Sequence, residues 1–265
     1  MRALVALAGV VTAVGCAGEI SFTGADGADG GLVEPSPVLV APSGVDDTEV
    51  PADCLEWLDF YGVDYELGPE RQGIATPVTV TTPINGIEYR YYYNDDPRAT
   101  FLMDCSLAHA LAKAAPIMRA RDVVEVLDIG VYNYRCIGEG EPPDCPNGMS
   151  QHAYAKAIDM AGFTTSAGDY YSVEFDWVID ASDETTCDAV HDSDADAFLH
   201  DLACEMKAKG VWNIVLTPNY NAGHRNHFHV DLTTGSNFIR RETLPEPIVP
   251  ELAGVSGGAS AFGTR

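Results

Sequence analysis

Two stretches of this chain, far apart in sequence, each carry side chains of the metal-ligand type, and any fold that uses them must bring them together. The first is Ser150-Gln151-His152-Ala153-Tyr154-Ala155-Lys156-Ala157-Ile158-Asp159. The second is His224-Arg225-Asn226-His227-Phe228-His229, which holds three of the seven histidines. Side chains two apart on a strand share a face. His227 and His229 are therefore expected to project together, with Phe228 and Val230 turned to the core. Asp159 sits in a small apolar run, where a charged carboxylate needs a partner because an unpaired buried charge is costly. A metal is one such partner and an arginine is another. With His152 on a turn upstream, metal ligation is the expectation, giving a His/Asp/His set with one position open, as suits metal-assisted hydrolysis.

The frame around these motifs is that of an exported protein. Arg2 followed by the apolar stretch 3–14 reads as a signal peptide over 1–15. It ends in Ala13-Val14-Gly15-Cys16, which resembles the lipobox of bacterial lipoproteins, with Ala13 where leucine is usual. That resemblance implies a lipid on Cys16 and a place on the bacterial cell envelope, facing the periplasm or the exterior. Residues 16–51 are rich in Gly, Ala, Asp, Pro and Ser and read as a flexible tether. Residues 243–265 read as a low-complexity tail. One folded domain is expected over 52–242. No internal stretch approaches the length of a membrane span.

Composition narrows the partners. With 15 Lys+Arg against 40 Asp+Glu, the net charge is -25, which excludes a nucleic-acid partner for want of a basic face. Setting Cys16 aside leaves Cys54, Cys105, Cys136, Cys145, Cys187 and Cys204, an even number that reads as three disulfides. Spacing alone leaves the connectivity open. Cys136 with Cys145, Cys187 with Cys204 and Cys54 with Cys105 form one candidate set. Cysteine-bound zinc is disfavoured by the lack of any CxxC pair.

Periodicity and turn residues predict an α+β domain. Helices are expected over 54–61, 104–119 (Asp104 as N-cap) and 195–209. Strands are expected over 78–82, 87–93, 123–134, 157–163, 171–177, 212–216 and 227–232. The first two are expected to pair as a hairpin through Asn85-Gly86. The run Tyr91-Tyr92-Tyr93 reads as half-buried strand rather than as a glycan platform. His109 and His200 fall in helices and read as structural or exposed. His191 stands among acids at a helix start, with a spacing that fits no calcium loop. Arg135 is a candidate oxyanion stabiliser or a surface arginine paired to an acid. Asp231 is a candidate to orient a ligand histidine, or a partner in a sheet-face salt bridge.

These residues resemble known families. Ser150-x-His152-x-x-Ala155-x-Ala157-x-Asp159 is similar to the SxHxxGxAxD motif of the zinc D-alanyl-D-alanine peptidases and their hedgehog relatives, with Ala155 in place of glycine. His224-x-x-His227-x-His229 looks like the matching element of penicillin-insensitive murein endopeptidases. More widely, residues 54–232 resemble the bacterial extensin-like C-terminal domain. The matching pieces are Cys105-Ser106-Leu107, Tyr134-Arg135-Cys136, the two histidine segments, and Leu216-Thr217-Pro218-Asn219-Tyr220-Asn221. The resemblance implies a hedgehog/DD-peptidase-like α+β domain with a mainly antiparallel sheet and flanking helices. It implies zinc held by His152, Asp159 and His229, with His227, Arg135 and His224 as catalytic residues and peptidoglycan or wall peptides as substrate. In many relatives a glutamate three residues before the last histidine is the base. Asn226 stands there, so the expected base is His227 or His224. That departure also leaves room for a non-catalytic, zinc-containing wall-binding lipoprotein.

Overall fold

A computed structural model describes residues 53–94, 96–179, 186–188 and 190–240. The signal-peptide, lipid-anchor, tether and tail expectations lie outside the described residues.

Helix α1 (Cys54–Tyr61) starts where Asp53 accepts a hydrogen bond from the Glu56 amide and stops at Gly62, whose φ of 65° ends it in the left-handed region. Strands β1 (Tyr65–Leu67), β2 (Pro77–Thr81), β3 (Glu88–Tyr91), β4 (Asp96–Pro97) and β5 (Thr100–Asp104) follow. Helix α2 (Cys105–Arg119) is capped by Asp104, as expected. Then come β6 (Val123–Gly130), β7 (Ala157–Thr165), β8 (Tyr170–Ser172), α3 (Val173–Asp176), α4 (Asp194–Ala208), β9 (Ile214–Leu216), β10 (Phe228–Asp231) and β11 (Phe238–Arg240). The domain is α+β. A three-stranded sheet has the order β1-β2-β5, and a larger one runs β11-β9-β10-β7-β6-β3-β4 with β8 beside β7. Pairing is mainly antiparallel; β3–β6 and β9–β11 are parallel.

Helix α2 packs against α1, α4 and strands β2, β5 and β6. Its alanine-rich face is wholly enclosed, with Leu107, Leu111 and Met118 fully buried. Pro116 lies inside this helix and removes the donor that would serve the Ala112 carbonyl; the Asn85 side chain reaches that oxygen instead, at 3.5 Å.

Three expectations of local structure are corrected. The 83–86 segment does turn, with Asn85 and Gly86 at φ 48° and 85°. However, β2 and β3 do not pair: they enter different sheets, because Pro83 offers no ladder donor and only Ile84 and Ile87 bridge across the turn. The expected strand over 171–177 is β8 followed by α3. Ser172 caps the Phe175 amide at 3.4 Å and Asp176 takes the Ser172 amide at 2.7 Å, so local side-chain bonds override the alternating aromatics. The tyrosine run leaves strand after Tyr91, and Tyr93 is 70% exposed.

The disulfides are Cys54–Cys105, Cys136–Cys145 and Cys187–Cys204, with separations of 51, 9 and 17 residues. Chain-entropy restriction grows with the loop closed, at about 4, 2.5 and 3 kcal/mol respectively. Replacing each pair by serines and measuring urea unfolding should therefore rank the losses Cys54–Cys105, then Cys187–Cys204, then Cys136–Cys145.

Candidate metal centre

Strand β10 lies antiparallel to β7 with His229 directly opposite Asp159. Directly opposed side chains share a sheet face, so register alone makes these two groups meet. His152 reaches the same point from the short 3-10 helix Gln151–Tyr154, whose start is capped by the Ser150 hydroxyl. Ala155 ends that helix at φ 50° and ψ 37°, turning the chain directly into β7. Ala155 is thus a non-glycine residue at a position that takes the left-handed conformation. Gly73, at φ 86°, approaches the Ala153 carbonyl so closely that a Cβ would collide with it, which holds the turn from the other side.

The three candidate ligand atoms form a tight triangle. His152 Nε2 lies 3.1 Å from Asp159 Oδ1 and 3.1 Å from His229 Nδ1, and the latter two atoms are 2.9 Å apart. Both imidazoles are held by their other nitrogen. His152 donates Nδ1–H to the Val131 carbonyl at 2.8 Å, and His229 donates Nε2–H to Asp231 Oδ2 at 3.0 Å. In their neutral forms, the nitrogens that face the centre therefore carry lone pairs. Two lone pairs and a carboxylate oxygen turned on one point require a positive charge between them. Without a metal, that charge is a proton. Burial pulls the His229 pKa down, but the flanking Asp159 and Asp231 carboxylates outweigh it and raise the pKa to about 9. Burial likewise pushes Asp159 up, and the two histidines overcome it and hold the carboxyl well below its usual range. Four-coordinate zinc, with bonds of about 2.0–2.1 Å, separates its ligands by about 3.3–3.4 Å, close to the triangle observed. The donor set and its outer hydrogen bonds thus fit zinc.

His227 stands beside this triangle, with Nε2 3.5 Å from Asp159 Oδ1. Its Nδ1–H is donated to the Asn226 side-chain oxygen at 2.8 Å, which leaves Nε2 unprotonated in the neutral ring. Burial, partly countered by Asp159, lowers its pKa. His224 donates Nδ1–H to Asn221 at 2.7 Å, and its ring lies 5.2 Å from that of His227. Burial and the neighbouring histidines lower its pKa to about 4. Phe228 and Val230 are fully buried, as alternation predicts.

A cleft of about 470 Å³ opens on His152 and Asp159, and its lining includes Arg135, Tyr91, Tyr93 and Arg98. Arg135 is placed by the strip that follows Val131. Ser150 N–H bonds the Arg135 carbonyl at 3.1 Å, Asn133 N–H bonds the His152 carbonyl at 3.0 Å, and Cys136–Cys145 closes the loop just beyond. None of the described ion pairs uses Arg135, so the alternative of a salt-bridged surface arginine finds no support among the described residues. Asp231 proves to be a partner of His229.

Arg98 has no signal in the sequence. It grips the buried Asp128 through Nε and Nη2 at 2.6 and 2.7 Å and lies 4.5 Å over the Tyr91 ring. Its partner is across the sheet, and nothing local in sequence announces it. His109, on α2, stacks on Trp57 of α1 at 5.1 Å and is structural.

The family described as Extensin-like protein C-terminus matches residues 66–240, a span that contains every residue of this site, and the chain belongs to that family. No curated protein and no solved structure matches the chain.

Two outcomes follow from this geometry. In Ala155→Gly, relief of about 1–2 kcal/mol of left-handed strain offsets the lost methyl packing and the added chain entropy, each about 0.8 kcal/mol. It should unfold in urea near the wild-type midpoint, whereas Ala153→Gly, without that relief, should lose about 1.5 kcal/mol. Arg98→Ala should cost about 3 kcal/mol at neutral pH by stranding Asp128. Burial already raises the Asp128 pKa against the pull of Arg98. A raised folded-state pKa means that stability is lost as pH rises through it, and removing Arg98 raises it further. The Arg98→Ala deficit should therefore be full at neutral pH and shrink as the pH falls through the raised Asp128 pKa in paired urea titrations.

Proposed function

We propose that this chain is a zinc-dependent peptidase acting on the peptide stems or cross-links of peptidoglycan, with its fold carried on the bacterial envelope by a lipid on Cys16. The observation that carries the proposal is the His152, Asp159 and His229 triangle at a cleft, with both imidazoles oriented from outside. The similarity of residues 150–159 to the zinc D-alanyl-D-alanine peptidases and hedgehog relatives supports it, as does that of residues 224–229 to the murein endopeptidases. The lipobox-like Ala13-Val14-Gly15-Cys16 and the tether over 16–51 suit a wall substrate. Among the described residues, no helix is long and apolar enough to cross a membrane.

His152, Asp159 and His229 would hold the zinc, which when bound would supply Lewis acidity toward a water and a carbonyl. His227 takes the proton of the attacking water at Nε2 and passes it to the leaving amine. The Asn226 amide keeps His227 in the tautomer that this requires. Arg135 holds the scissile carbonyl oxygen or a substrate carboxylate in the cleft. Tyr91 and Tyr93 border the path of the peptide. His224, held neutral, borders His227 and limits water around it.

Asn226, where many relatives carry a glutamate base, favours a second reading: a zinc-containing module that binds wall peptides without cutting them. Purified peptidoglycan incubated with the zinc-loaded full chain separates the two. Cleavage products that fall about 10²–10⁴-fold in His227→Ala, with zinc content unchanged, are expected for the peptidase. His152→Ala and His229→Ala should lose zinc and cleavage together. Zinc binding without cleavage in the wild type would leave the binding module, and failure to bind zinc at this triangle would overturn both.

A further inference from the structure

A second set of metal-ligand side chains lies outside the cleft. Asp196 and His200 are one turn apart on α4, each 1% exposed, and His191 approaches them from the segment before the helix. His200 donates Nδ1–H to the Thr186 carbonyl at 2.8 Å. Its Nε2 is therefore the lone-pair nitrogen of the neutral ring, and it points to Asp196 Oδ1 at 3.3 Å. His191 Nδ1 lies 3.8 Å from Asp196 Oδ2. Both His200 Nε2 and His191 Nδ1 are buried atoms without a hydrogen-bond partner. One ligand atom from each of the three residues falls within 4.8 Å of the others.

An ordinary structural role explains only part of this. Asp196 receives the Val178 amide at 2.8 Å and the Asp192 amide at 3.2 Å, as a buried carboxylate near a helix start often does. Those bonds orient the carboxylate but bring no full positive charge. Protonating His200 would pair it with Asp196 and still leave His191 Nδ1 buried and unbonded. An ion among the three groups satisfies all of them at once. The arrangement repeats the device of the first site, a buried histidine fixed by a backbone carbonyl on Nδ1 and facing a carboxylate beside another imidazole. Two imidazole nitrogens with one carboxylate suit zinc and its late first-row neighbours; calcium and magnesium prefer all-oxygen shells.

We propose that His191, Asp196 and His200 form a second zinc site, independent of the cleft. The ion would pin the segment before α4 to the helix, next to the Cys187–Cys204 disulfide. The site also adjoins the first through packing. Trp177 stacks on His200 with ring centroids 3.6 Å apart and meets Phe228 edge-on at 5.2 Å, and Phe228 lies between His227 and His229.

Metal analysis by inductively coupled plasma mass spectrometry tests this on the full chain, equilibrated with zinc and gel-filtered. His191→Ala is the chosen variant because that side chain is 27% exposed and its loss leaves the core intact. The wild type should hold about two zinc per chain, His191→Ala about one, His152→Ala about one, and the double variant none. Zinc should also raise the thermal midpoint of His152→Ala, and the rise should vanish when His191→Ala is added. One zinc in the wild type, removed by His152→Ala but not by His191→Ala, would overturn the second site and leave the first standing. One zinc with the opposite dependence would support the second site and overturn the first.

Discussion

The half-buried carboxylate of Asp159 sets the terms for the centre of this domain. It occupies a central strand, flanked in sequence by fully buried Ile158 and Met160. A carboxylate there is tolerated only if positive charge and hydrogen bonds reach it. The register of β10 delivers His229, the left-handed turn at Ala155 delivers His152, and the loop before β10 delivers His227. Asp231 and the Val131 carbonyl then hold the outer nitrogens of two of these rings. Each part answers the same electrostatic demand, which is why the site comes as a set and not as a lone buried acid.

How much of this was legible in the sequence depends on the length scale of the signal. The His227/His229 pair was legible because strand alternation is a local property, and so was the burial of Phe228 and Val230. The spacing of His152 and Asp159, with a turn upstream of an apolar strand, suggested that the two meet, and Asp104 announced the start of α2 through its capping chemistry. Arg98 was not legible, since its partner Asp128 is reached only through the parallel pairing of β3 with β6 and the return of the chain through β4. The hairpin expectation failed for a related reason. Asn85-Gly86 encodes a turn, but which sheet each flanking strand joins is decided by distant partners. His200 stands one turn after Asp196 on α4, a pairing that helical period does align, but His191, which completes the cluster, comes from outside the helix. A loop closes that cluster, and loops carry no period.

The disulfides extend the same scaffold outward. Cys54–Cys105 fastens α1 to the first residue of α2, immediately after Asp104. That aspartate accepts the Thr76 amide at 3.1 Å, and its own amide donates to the Ala155 carbonyl at 3.1 Å. A covalent tie is thus two residue contacts from the turn that aims His152. Cys136–Cys145 acts similarly on the strip carrying Arg135. For a small domain with a strongly negative surface, such ties limit the excursions that charge repulsion would otherwise favour.

Asn226 gives the proposed chemistry its particular form. A glutamate at this position would itself accept a proton, and the adjacent histidine would need only to stabilise charge. An amide cannot exchange protons at neutral pH, but its oxygen still accepts a hydrogen bond, and it accepts one from His227 Nδ1–H. Under the proposed chemistry, Asn226 would leave the proton-handling role to His227 while supplying the contact that fixes its tautomer. The same contact is compatible with a site that only binds, because holding a ring in place costs nothing if no proton moves. What distinguishes the two is whether the Nε2 lone pair, 3.5 Å from Asp159 Oδ1, meets a water with a lowered pKa or only a bound peptide. A rigid β10, packed through Phe228 against Phe163 and Trp177, keeps that nitrogen in position in either case.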